Sequence, residues 1–253
     1  MQELNLSFWG VAAVVVLLIC VVVLFYVIDR RMMVRSLRVL AYYTGSMAVV
    51  ALYAWGVVRL NIWWGTLLFG VLMTLCVAGL SLRKTGLSAN VFGLPLCLST
   101  FVGMGCCLAS VFLLIDTPHS FLLLSGVAIA AGKMLAAVPV ALRTYVSSLR
   151  HTQDHCLYLL ANGASHLEAV MPSVRRSVRA AMLPSMRSMT AAVVIAPSLF
   201  FCGMLLAGCA PLVAVVVSFL LSLAAQASCL LTVLLTLALA DRRLFDRSGR
   251  FLL

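Results

Sequence analysis

The chain has 253 residues, 64% of them hydrophobic and 10% charged, with a formal net charge of +11 and a mean hydropathy of +1.15. So little polarity excludes a soluble domain of this length, and apolar runs of about 20 residues fit helices that cross a ~30 Å hydrocarbon core. The same lengths exclude a barrel, whose strands need only ~9–11 alternating residues, and the basic excess does not read as nucleic-acid binding, because no basic stripe carries interleaved aromatics.

In chain order, seven apolar runs predict seven transmembrane helices: roughly 7–28, 39–58, 62–82, 90–115, 120–144, 185–207 and 211–240. The first opens on an acidic flank and lacks a small-residue cleavage pattern, so it reads as a retained helix and not a signal peptide. Turns separate later runs at Arg59-Leu60-Asn61, Asp116-Thr117-Pro118-His119 and Gly208-Cys209-Ala210-Pro211. The fold class expected is an all-α, multi-pass membrane protein forming a single domain over 1–253.

Of the 18 basic residues, 16 fall on one side of these spans, from Arg30 and Arg31 through Arg83 and Lys84 to Arg247 and Arg250. Arg59 alone flanks the other side. The excess of Lys and Arg in cytoplasmic segments then places the N-terminus outside and the C-terminus in the cytoplasm, which requires an odd number of spans.

Lys133 falls inside the fifth run. A charge at that depth costs ~2.5–3.5 kcal/mol on insertion scales, so it should face protein, a cavity or a partner. No acidic residue lies at membrane depth to pair with it, which favours an anionic ligand or lipid headgroup; the alternative is a lysine stored neutral or snorkelling along a helix interface. The surrounding Gly126–Met134 superficially resembles a phosphate loop, but has five residues between its glycines, lacks the following Ser or Thr, and sits in a membrane run. The chain is therefore expected to bind no ATP by itself.

The long stretch 146–184 on the cytoplasmic side is the one extended segment that does not span. It predicts a helix over about 152–161, a turn at Asn162-Gly163-Ala164, and a second short helix starting at Ser165. Ser165 and Glu168 match a capping box, in which each side chain satisfies an N–H of the other at a helix start. Pro172 should kink this helix or start the next one. Beyond it, Val174, Val178, Ala181 and Met182 repeat at helical spacing while Arg175, Arg176 and Arg179 form a basic face, as in an amphipathic helix lying on the inner leaflet.

Other chemistry finds little footing. His151 and His155 stand four apart near Asp154 and Cys156, a spacing able to bind a metal but more often a solvated helix face. The nine cysteines lie mostly inside apolar runs without a C-x-x-C and read as packing residues. Gly93, Gly103, Gly105, Gly126 and Gly132 read as sites of close helix approach. No motif for nucleophilic or metal-dependent hydrolysis is present.

The helix, glycine turn and capped helix resemble the coupling segment of ABC-transporter permeases. More closely, residues 120–246 resemble the Fet-type permease family, described as iron exporters and related to the plant STAR-type aluminium-tolerance permeases. The resemblance rests on Asn162-Gly163-Ala164-Ser165, the run Arg176-Ser177-Val178-Arg179-Ala180-Ala181-Met182-Leu183-Pro184, the Gly203, Gly208 and Pro211 spacing, and the closing Arg242-Arg243-Leu244-Phe245. It implies the membrane subunit of a cell-membrane exporter: a homodimer, docked on a separate ABC ATPase subunit that carries ATP and Mg. On this reading Gly163, Ala164, Ser165, Glu168, Arg175, Arg176 and Arg179 couple the chain to the ATPase through a coupling helix at 155–171, and the chain itself is not an enzyme.

The family's P-G-M-M-[ST]-G run falls on Ser198 to Gly203, with both methionines replaced; its last-helix Gln falls on Ser218 and its fifth-helix Asn on Lys133. Lys133, Ser198, Phe200, Phe201 and Ser218 are thus the pathway candidates. A charged Lys133 would repel a bare metal cation, which weighs against iron. The other reading open at this point is a channel, carrier or lipid-binding scaffold that works without ATP.

Overall fold

The computed structural model describes residues 63–87, 89–114, 120–195 and 199–244, with scattered helical positions between 16 and 56. The chain divides into two compact units, Met1–Asn61 and Ile62–Leu253. In the first, the described positions within the expected 39–58 span are helical, whereas the expected 7–28 span lies outside the described residues apart from helical Val16.

The second unit contains seven helices among the described residues: α1 (Trp63–Thr85), α2 (Ala89–Leu114), α3 (Ser120–His151), α4 (Gln153–Ala161), α5 (His166–Ile195), α6 (Leu199–Leu206) and α7 (Pro211–Leu244). Stretches of α1, α2, α3 and α7 are long and apolar enough to cross a membrane: Leu67–Thr85, Phe92–Leu113, Leu122–His151 and Pro211–Leu244. Their outer faces carry exposed Leu75, Phe101, Leu113, Leu212 and Phe219. In water so much exposed apolar surface would drive association; against lipid tails it needs no cover. The protein is a multi-pass, all-helical membrane protein over its described residues.

Glycines set the helix ends. Gly86, Gly163 and Gly208 have φ of 67°, 84° and 85°, a left-handed conformation that only glycine adopts at little cost. At the α6 end, Gly208 and Cys209 return their N–H groups to Leu205 and Met204 at 3.0 and 3.2 Å, closing a Schellman motif. Pro211 then opens α7, where its missing N–H is of no consequence.

The core is built on α3, which packs against α1, α2, α5 and α7 and touches α4. Small side chains allow the close approach. On α2 and α7, Ser99 and Thr236 share a 2.6 Å hydrogen bond, and Thr232 returns its hydroxyl to the Ser228 carbonyl at 2.8 Å. Such back-bonding satisfies hydroxyls where no water reaches. Cys107, Cys156 and Cys229 are buried, as packing residues should be, whereas Cys76, Cys97 and Cys106 lie on exposed faces.

One expected boundary falls elsewhere. The second short helix and the first half of the following 185–207 span are instead one helix, α5, running from His166 to Ile195 through both Pro172 and Pro184; 196–198 lie outside the described residues, and α6 covers Leu199–Leu206. A proline in a helix interior costs ~3 kcal/mol. Against that, Ala169, Val170, Ser173, Ser177, Ala181 and Met182 are all buried, on a helix that packs along α3. The four-residue spacing Ala169, Ser173, Ser177, Ala181 makes a seam of small residues, continued by half-buried Ser185, that seats α5 on α3 and outweighs the local penalty.

Candidate functional site

The turn between α4 and α5 is held by the chain's own backbone and one reciprocal pair of side chains. Asn162 N–H reaches the Tyr158 carbonyl at 3.1 Å, and Ala164 N–H reaches back to Leu159 at 3.0 Å across left-handed Gly163. Glu168 Oε2 accepts from Ser165 N–H at 2.9 Å, while Ser165 Oγ accepts from Glu168 N–H at 3.4 Å. This is the capping box read in the sequence. The backbone N–H of Ser165, and then its hydroxyl, hold the Glu168 carboxyl below the usual glutamate range. Exposed Tyr158, Leu167 and Met171 surround the turn, Leu167 at 71%. Sequence reading passed over these three, because an apolar residue beside a turn looks no different from one in the core.

Four contacts tie this turn to the helices behind it. His166, the first residue of α5, places Nε2 2.8 Å from Asp241 Oδ2 near the end of α7. Asp241 Oδ1 accepts from the fully buried Tyr145 of α3 at 2.7 Å. Ser148 donates to Ser173 at 3.1 Å, and Cys156 Sγ approaches the Ala169 carbonyl at 3.3 Å. Asp241 therefore joins the start of α5 to both α3 and α7. His166, Tyr145 and Asp241 are 96 and 75 positions apart in the chain, so no local motif could have grouped them.

Arg175, Arg176 and Arg179 are all exposed, whereas Ser173 and Ser177 of the same helix are buried. The basic face expected there is present, on a longer helix than expected.

Deeper along α3, Lys133 is half-buried and points to α7. Its Nζ donates to the Ser222 carbonyl at 3.1 Å and to Gln226 Oε1 at 3.3 Å. Gln226 Oε1 also accepts from Ser185 at 2.8 Å, and its Nε2 lies 3.5 Å from Met182 Sδ. Lys133 thus sits in a polar knot of α3, α5 and α7 centred on Gln226. A Gln in the middle of an apolar run was the signal available for it.

Phe200 packs against Val111, Leu123 and Leu221. Phe201 is half-buried, Ser198 lies outside the described residues, and the Ser218 hydroxyl is buried with no hydrogen-bond partner among them. No group of three or more metal-ligating side chains gathers among the described residues. His151 is exposed, and the side chain of His155 is outside the description.

No curated protein and no solved structure matches the chain. A family profile matches residues 6–245, which include the turn and helices described above. The chain belongs to the uncharacterised protein family UPF0014.

Proposed function

We propose that the chain is the membrane-spanning permease subunit of an ABC transporter, working as an exporter in the cell (inner or plasma) membrane, with the N-terminus outside and the C-terminus cytoplasmic. Two copies pair through their spans, and two separate ATPase subunits, which bind ATP and Mg, dock beneath. The chain itself catalyses nothing.

The observation that carries this reading is the α4–turn–α5 unit. Its backbone is fixed by Gly163 and by the Ser165–Glu168 box, it presents Tyr158, Leu167 and Met171 outward, and it is wired through Asp241 to α3 and α7. A partner pressing on the turn would therefore move two spanning helices together, as conversion of ATPase closure into rearrangement of a pathway requires. Arg175, Arg176 and Arg179 keep α5 at the membrane surface. Iron export, implied by the Fet-type resemblance, is the finer assignment. Lys133 weighs against a bare cation in its vicinity.

The test is co-purification with an ATPase encoded beside this gene. Gly163→Pro imposes a negative φ where the turn needs +84°, and Glu168→Ala removes half of the capping box; both should weaken ATPase binding or ATP-dependent transport. If neither variant changes either quantity, the coupling assignment is wrong. Unaltered iron tolerance in a deletion strain would remove the iron assignment alone.

A further inference from the structure

A cavity of about 290 Å³ is lined by Arg143, Thr144, Ser147, Ser148 and His151 of α3 and by Arg176 of α5. Ligand pockets run from ~300 to 1,000 Å³, so this one suits a small group. Two guanidinium groups from different helices face it. The carboxylates whose side chains are described are engaged elsewhere, Glu168 with Ser165 and Asp241 with Tyr145 and His166. Ser148 is buried and spends its hydroxyl on Ser173, whereas no described protein group takes up the hydroxyls of Thr144 and Ser147.

The carbonyl end of α3 opposes an anion here, with about half a negative charge. Two full positive charges outweigh it. Arginine matches phosphate oxygens in a planar, bidentate way that a lysine cannot.

The neighbouring surface says what carries the phosphate. Gly132, Ala136, Val140, Arg143 and Ser147 are exposed at successive four- and three-residue steps, which places them on one face of α3. That face runs from the cavity, near the carboxyl end of the Leu122–His151 stretch, toward the middle of that stretch. On α5, exposed Leu183 and Met186 follow Arg176 and Arg179. A soluble phosphate has no use for an apolar track.

We propose that this cavity seats the phosphate headgroup of an anionic membrane lipid. Arg143 and Arg176 pair with the phosphate oxygens, Thr144 and Ser147 donate hydrogen bonds, and an acyl chain lies along Val140 and Ala136. The inference rests on the membrane fold and not on the transporter reading, because it is measured on the permease chain without any ATPase.

The experiment is lipid binding to the full chain in detergent, read by native mass spectrometry, with dioleoyl phosphatidic acid, dioleoyl phosphatidylcholine and inorganic phosphate as separate probes. Phosphatidic acid should bind about tenfold or more tightly than phosphatidylcholine, given the typical attraction of each basic residue to anionic lipid. Arg143→Gln with Arg176→Gln should abolish that preference. Arg83→Gln, at the end of α1, should leave it intact. Arg143→Lys with Arg176→Lys keeps both charges and the fold, and should retain part of it. Equal binding of the two lipids, or an unchanged preference in the double Gln variant, overturns the proposal. Arg143- and Arg176-dependent stabilisation by inorganic phosphate without a preference for phosphatidic acid would assign the cavity to a soluble phosphate and overturn the lipid.

Discussion

Glycines that look equivalent in the sequence do unlike work. A Cβ on Gly103 would collide with Thr232 Oγ1 and lie 3.1 Å from the Ser228 backbone carbonyl. Thr232 cannot swing clear, being β-branched and bonded to that same carbonyl. A Cβ on Gly132 meets nothing within 4 Å. Gly103→Ala should therefore destabilise the fold by ~1–3 kcal/mol through overpacking, while Gly132→Ala should stay within about 0.5 kcal/mol of the parent. Thermal unfolding of both variants in one detergent checks this; equal midpoints would refute the packing argument. Sequence reading marked both as points of close helix approach. Only the position of α7 across from Gly103 separates them, and that position is not a property of the local sequence.

At the scale of elements, the turn was legible and the helix beyond it was not. Gly163 at a left-handed position and the Ser165–Glu168 box act over four residues or fewer, so residue type and spacing were enough. The depressed Glu168 pKa makes the helix start pH-dependent. Its carboxylate form is favoured in the folded state, so that contribution is present above the ordinary glutamate pKa of about 4.3 and fades as pH falls through the lower folded value. Amide exchange at the first turn of α5 should accelerate over that acidic window in the parent, and Glu168→Gln should flatten the pH dependence. An identical profile in both proteins would show that the box does not hold the helix start. The continuation of α5 past Pro172 could not be read in this way. Proline is locally a breaker, and the compensation comes from the seam Ala169, Ser173, Ser177 and Ala181 pressed on α3, whose small side chains look unremarkable until their neighbour is known.

For the whole molecule, Asp241 is the residue through which distant segments meet. Asp241→Ala would leave the fully buried Tyr145 hydroxyl without its acceptor, at about 1–3 kcal/mol, and would release His166 as well. Tyr145→Phe removes the buried donor and leaves Asp241 with His166, so it should cost less. The two substitutions combined should fall short of additivity by ~0.5–3 kcal/mol, measured as unfolding midpoints in a double-mutant cycle; additive effects would dissolve the proposed link between α3 and α7. The sequence alone determined that this is a helical membrane protein and where α1, α2, α3 and α7 run, because hydrophobic length is set by the bilayer and is summed locally. It also determined the turn at Gly163, because a left-handed residue and a reciprocal cap are short-range demands. The tertiary structure alone decided which polar residues meet: Lys133 with Gln226, Asp241 with Tyr145 and His166, Arg143 with Arg176. Hydrogen bonds and shared charge depend on which helix faces which, and in this chain that is set by seams of small residues whose partners lie far away in sequence.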